Sequence, residues 1–242
     1  MIGGIAAAPA QAERVATEFT ASAGTYTSIG QDIAFPRAGS GFRWRVANSL
    51  RVNGQRSPYR WYVDLGIGPD GQRTLDFELR VSEGEGAAPT VAATPAAGRC
   101  STGLGGEGGS DPTAYCVVPF PSAIGGKTLR VVVRSLTPTS TTGSTWQAYA
   151  EIKGGARYEL GSLRMPAAGA GTVDTTVSNF TEDWNVYGTC PAARVEAVYR
   201  PPTFRRADGT ATAGALNALR GKTCAASQVG PFMDGAYHRL GN

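Results

Sequence analysis

The chain has 242 residues, 41% of them hydrophobic and 17% charged, with a formal net charge of +4. That share of apolar residues supports a buried core within a single domain. The basic residues are spread without a Lys/Arg run, which excludes the usual footprint of a nucleic-acid binder. Gly 33 and Pro 15 imply many turns and few helices, short of the level that signals disorder.

The chain opens with a small, apolar run over residues 2–12 that closes on Ala10-Gln11-Ala12, the form of a signal-peptidase site. Residues 1–12 are therefore expected to be the remnant of a signal peptide, with a mature protein starting near Glu13. The run has no basic segment before it, which implies a longer natural leader, and it is too short to span a bilayer.

Period-two alternation, the mark of strands with one buried face, then recurs along the chain. Phe42, Trp44 and Val46 alternate with Arg43 and Arg45. Trp61, Val63, Leu65 and Ile67 are followed by Leu75, Phe77, Leu79 and Val81, and Gly66 to Gly71 between them supplies the turn of a hairpin. Gly66, Gly68 and Gly71 match a dinucleotide-binding GxGxxG by letter, but a strand follows where that fingerprint needs a helix N-terminus, so the segment is read as a turn. The Gly/Ala-rich stretch at 84–113 is expected to be a long surface loop. Leu129–Arg134 forms a buried strand. Trp146 to Ile152 and Arg157 to Leu163 form a second hairpin through Lys153-Gly154-Gly155-Ala156. Val195, Ala197 and Tyr199 carry a strand that Pro201-Pro202 ends, and residues 206–210 are a turn. Only Thr212 to Leu219 offers a short helical run. The fold class that follows is all-β, a two-sheet antiparallel β-sandwich of jelly-roll or concanavalin-like form with few short helices, as one domain over residues 13–242.

Four cysteines, Cys100, Cys116, Cys190 and Cys224, fit disulfides in an oxidising compartment. They allow three connectivities. Sequential pairing is expected, each loop contributing roughly 3 to 4 kcal/mol in the loop-entropy model. No CxxC pair exists and the only histidine, His238, is far from either pair in sequence, so no metal site is expected.

Four acids are candidates for chemistry. Asp76 and Glu78 are two apart on one strand face, with Asp64 on the neighbouring run, and Glu182 and Asp183 adjoin Trp184. Paired carboxyls are the working parts of a glycosidase, although polar residues are also what the outer face of a strand requires. His238 sits near the C-terminus in a segment read as a mobile tail, which argues against histidine-based catalysis. A lysine- or tyrosine-based lyase is a further alternative, its tyrosine form drawing on Tyr62, Tyr149 or Tyr158. Trp44, Tyr59, Trp61 and Tyr62 cluster with Arg60 and other arginines, and flat rings with guanidinium groups can form a carbohydrate or polyanion platform. Trp44 and Trp61 fall on the apolar phase of their strands and suit the core at least as well. Asn179-Phe180-Thr181 matches a glycosylation sequon.

The order of features from about Trp44 onward resembles the secreted bacterial proteins with a DUF3472-type domain. The matching features are the strand pair, Cys116 before Pro119-Phe120-Pro121, the strand Leu129–Arg134, and the aromatic-led strand Trp146–Ile152. After these come Leu160 to Pro166, Asn179 to Trp184 before Cys190, and Arg205 to Gly209 before Cys224. This resemblance implies a concanavalin-like sandwich in an exported protein and identifies no catalytic residue. The functional expectation is an extracellular binding module for a polysaccharide or cell-envelope component, without cofactor, nucleic acid or membrane span. A polysaccharide-degrading enzyme using the acids above, and a structural subunit with a protein partner, are the alternatives.

Overall fold

The computed structural model describes residues 12–105, 109–138, 142–167, 169, 171–187, 193–221 and 224–241. The segment expected to be a signal-peptide remnant, residues 1–12, lies outside the described residues apart from Ala12.

The strands are β1 (Ala12–Thr20), β2 (Ser28–Arg37), β3 (Phe42–Val52), β4 (Gln55–Ile67), β5 (Arg73–Val81), β6 (Thr90–Ala93), β7 (Arg99–Gly105), β8 (Asp111–Pro119) and β9 (Thr128–Ser135). They continue with β10 (Ser144–Ile152), β11 (Arg157–Met165), β12 (Gly171–Tyr187), β13 (Val195–Tyr199), β14 (Thr203–Arg205), β15 (Ala211–Ala213), β16 (Ala215–Arg220), β17 (Gln228–Phe232) and β18 (Gly235–Leu240). No helix occurs among the described residues. An eight-stranded sheet runs β16-β1-β12-β3-β4-β5-β8-β7, and a ten-stranded sheet runs β17-β18-β13-β2-β9-β10-β11-β6 with β14 and β15 beside β2. All of the strand pairings are antiparallel. The two inner faces enclose one core, an all-β sandwich as the alternation predicts.

The two expected hairpins form. β4 meets β5 from Tyr59↔Val81 to Ile67↔Arg73, with the connecting turn closed by Gly68 N–H donating to the Gln72 carbonyl. Gly71 takes φ 79°, a left-handed value that glycine adopts without a steric cost. The GxGxxG letters are therefore strand and turn, with no helix behind them. β10 meets β11 around Lys153 to Ala156.

Three expectations are corrected. The 84–113 segment is partly strand, since it carries β6, β7 and the start of β8. Both β6 and β7 are mostly exposed edge strands, and an edge with solvent on both faces needs no apolar alternation to mark it. The Thr212–Leu219 run is β15 and β16 rather than a helix, because pairing with β14 and β1 overrides an alanine-rich local preference. The tail holding His238 is not mobile: it is β18, laddered between β13 and β17, and His238 is fully buried.

Cys100 and Cys116 are Cα partners across β7 and β8 and form the expected disulfide. Gly161 of β11 approaches that bond so closely that a Cβ there would lie 2.8 Å from Cys116 Sγ. Cys224 is also disulfide-bonded, and Cys190, its expected partner, lies outside the described residues.

A polar layer crosses this core. Gln31 and Asn179 exchange side-chain hydrogen bonds of 3.0 and 2.7 Å, joining β2 to β12. His238 Nδ1 lies 3.0 Å from Thr181 Oγ1 and its Nε2 3.1 Å from Thr17 Oγ1, joining β18 to β12 and β1. Tyr199 donates to the Phe180 carbonyl at 2.6 Å. Each polar group finds a partner, as burial requires. The Asn179 amide is buried in this layer, so the sequon it heads is not open to glycosylation.

Candidate functional site

The even pleat of β3, β4, β5 and β12 sends Trp44, Trp61 and Phe77 inward and a set of charged residues outward. Register then decides which outward residues meet. Arg45 lies across from Phe180 on one side and Asp64 on the other, and Asp64 across from Asp76. Arg43 lies across from Glu182, Tyr62 from Glu78, and Arg60 from Arg80. The two acidic clusters that are separate in sequence, Asp76/Glu78 and Glu182, thus share one face. Asp183 does not join them: it is buried, one step along the strand and opposite the inward Phe42.

Most of the acids on this face are tied to arginines. Arg45 grips Asp64 through two hydrogen bonds, Nε to Oδ1 at 2.7 Å and Nη2 to Oδ2 at 2.6 Å. Glu182 accepts from Arg43 Nε at 2.5 Å, and Arg43 also reaches to 3.7 Å from Asp64. Glu78 accepts from Arg80 Nε at 2.7 Å. Charge-assisted hydrogen bonds of this kind are shorter and stronger than neutral ones. Arg45 is accordingly pushed further up from its already high value by Asp64, against the opposing effect of its burial.

Asp76 stands apart. Its Oδ1 is buried without a hydrogen-bond partner among the described residues. Burial first, and then the neighbouring Asp64 charge, push its carboxyl up to about 7. The proton is held more tightly in the folded chain than in the unfolded one, so ionising Asp76 destabilises the fold. That cost is absent below about pH 4, grows as pH rises from there, and is complete above about pH 7. Asp76→Asn is expected to raise stability by roughly 1–3 kcal/mol at pH 8 and to leave it unchanged at pH 4. Urea titrations at the two pH values check this, and an equal change at both would refute the assignment.

The aromatic candidates separate sharply. Trp44, Tyr59 and Trp61 are buried in the core and offer no ring to a ligand, because they occupy the inward phase of β3 and β4. Tyr62 and Arg60 are on the outer face. Even there no ring is open. Tyr62 lies under the guanidinium groups of Arg45 from β3 and Arg80 from β5, at 4.6 and 4.9 Å from the ring centroid, and Phe180 lies under Arg14 at 5.1 Å. The tyrosines of the lyase reading are not gathered either, since Tyr149 and Tyr158 are in the other sheet.

Two depressions open on this outer face. One, of about 360 Å³, extends from Arg14 and Phe180 to Arg60, Tyr62 and Arg80. The other, of about 370 Å³, adds Arg56, Thr176 and Ser178 and shares Arg60, Tyr62 and Phe180 with the first. Arg14 and Phe180 are the site residues that sequence reading misses. Their only signal is the polar phase of a strand, and the strand partners that bring them together are distant in the chain. Among the described residues no group of three or more His, Cys, Asp or Glu could hold a metal ion. No helix among them is long and apolar enough to cross a membrane.

No family model matches the chain, and no curated protein matches it. Among solved structures the chain is similar to scytalido-glutamic peptidase with a peptide-based transition-state analog, at 9% identity and a TM-score of 0.48 over 96% of this chain and 98% of that one. It is also similar to SCP-B, a member of the Eqolisin family of peptidases, in complex with a tripeptide, at 10% identity and a TM-score of 0.44 over 96% and 98%. Likeness at this level brings no activity to this chain, and the sandwich assignment rests on the chain's own strand pairing.

Proposed function

We propose that the protein is a secreted, non-catalytic binding module that holds a polysaccharide or another cell-envelope polymer along the outer face of its eight-stranded sheet. The observation that carries this reading is the pair of depressions sharing Arg60, Tyr62 and Phe180, which together make an elongated polar groove on a laddered sheet. Strands give a recognition surface that needs no ordering when the ligand arrives, which keeps the entropic cost of binding low. The Cys100–Cys116 disulfide supports an oxidising, extracellular setting.

Hydrolysis of such a polymer is the second reading, and Asp76 favours it, as a largely buried carboxyl with one oxygen unpartnered, pushed up to about 7 beside Asp64. Incubating the mature protein, residues 13–242, with insoluble polysaccharides and bacterial walls distinguishes the two. Depletion of protein from solution without new sugar ends is the expected result. New ends that Asp76→Asn abolishes would replace the binding reading with the catalytic one, and no depletion on any polymer would refute binding altogether.

A further inference from the structure

The groove presents charge rather than open aromatic rings. The two rings that reach it, Tyr62 and Phe180, are covered by Arg45, Arg80 and Arg14. Stacking of a neutral sugar on either ring would have to displace a guanidinium from it.

The sheet also carries an arrangement that costs stability. Arg60 and Arg80 are directly opposed across β4 and β5, and like charges in that position repel. Glu78 neutralises Arg80. Arg60 is exposed and has no carboxylate partner among the described residues, and the same holds for Arg14 across the groove. The one acid lining the first depression, Asp111, accepts the backbone N–H of Glu83. Arg51 and Arg56 oppose each other across β3 and β4, and Arg56 lines the adjoining depression together with two acids, Glu18, which pairs with Arg220, and Asp174, which accepts the backbone N–H of Thr175. Arg14, Arg60 and Arg56 thus follow the groove without a carboxylate partner among the described residues, each able to grip a carboxylate with two parallel donors, whereas Nε and Nη2 of Arg80 are already engaged by Glu78.

We infer that the ligand is an anionic polysaccharide bearing carboxylate groups, a polyuronate, and that Arg60 seats one carboxylate of it while Arg14 and Arg56 hold its neighbours. This rests on the binding reading above and names the ligand class of the same groove. Glu78 already offsets Arg80, so the charge that a carboxylate of the ligand would neutralise is that of Arg60.

The test measures affinity for polygalacturonate, for dextran as a neutral polymer and for dextran sulfate as a sulfated one, at physiological ionic strength. The wild-type chain is expected to bind polygalacturonate best. Arg60→Ala is expected to weaken that binding by about 10- to 100-fold, the range of one charge-assisted contact. The same substitution is expected to leave thermal stability unchanged, since Arg60 is exposed and has no carboxylate partner among the described residues. Arg134→Ala, an equal loss of charge on the other sheet, is expected to leave binding unchanged. An equal loss with Arg134→Ala would reduce the effect to general charge attraction and overturn the inference. So would tighter binding of dextran sulfate. Dextran binding that Arg60→Ala does not alter would overturn the anionic assignment while leaving the binding reading in place, and failure of every polymer to bind would overturn both.

Discussion

Replacing Arg45 by methionine is expected to cost about 3–5 kcal/mol of stability at pH 7. The side chains of Arg45 and Asp64 are only 14% and 6% exposed, and the guanidinium provides both of the short hydrogen bonds that Asp64 accepts from it. Methionine preserves most of the stem but leaves Asp64 buried, with Arg43 at 3.7 Å as its nearest cation and Asp76 as its cross-strand neighbour. An uncompensated buried carboxylate escapes the cost by taking up a proton, so the loss should shrink as pH falls. Asp64→Asn in the same chain should recover much of it, because the double variant removes the charge along with its partner. Chemical denaturation of the two single variants and the double variant measures the coupling. A cost below about 1 kcal/mol for Arg45→Met at pH 7 would place this pair with ordinary surface ion pairs. The same variant also uncovers one face of Tyr62, so any gain in binding to a neutral glycan would reveal a ring that Arg45 normally shields.

The core strands were the legible part of the fold. Trp61 to Ile67 and Leu75 to Val81 alternate because one side of each strand is dry, and their turn carries the glycine that the left-handed position favours. The same alternation placed Asp76 and Glu78 together, since residues two apart on a strand share a face. What alternation does not encode is partner identity. Glu182 reaches Arg43 because β12 pairs with β3, a contact spanning 139 residues of chain. The aromatic cluster misled for a related reason: Trp44, Tyr59 and Trp61 are close to Tyr62 in sequence but lie on the opposite face of the sheet. Edge strands β6, β7 and β16 were illegible because neither of their faces is sealed, so no hydrophobic period marks them.

His238 sets the second large effect. It is fully buried between β12 and β1, its two ring nitrogens facing the hydroxyls of Thr181 and Thr17 and its ring 4.6 Å from that of Tyr199. Burial pushes its pKa down to about 3. The folded chain therefore keeps the ring neutral through a range in which the unfolded chain binds a proton. The stabilisation is fully present above about pH 6.5 and is lost as pH falls from there towards 3, with a ceiling of about 4–5 kcal/mol. Asp76 works in the opposite sense over much of the same range, since mild acid removes the cost of its ionisation. The two slopes partly cancel in the wild-type chain. They should separate in variants: His238→Gln, which keeps a hydrogen-bonding side chain, should make the protein gain stability between pH 6.5 and 4 relative to wild type, while Asp76→Asn should make it lose stability faster. Unfolding free energies taken in steps across that range test both at once. If His238→Gln parallels wild type at every pH, the imidazole is already protonated in the folded chain, or lies where water reaches it. The consequence extends to the groove, because Tyr199 and Thr181 of this buried layer flank and bond the β12 backbone at Phe180. Charging His238 would loosen the strand that carries the groove's floor, so binding should fail in acid before the sandwich unfolds.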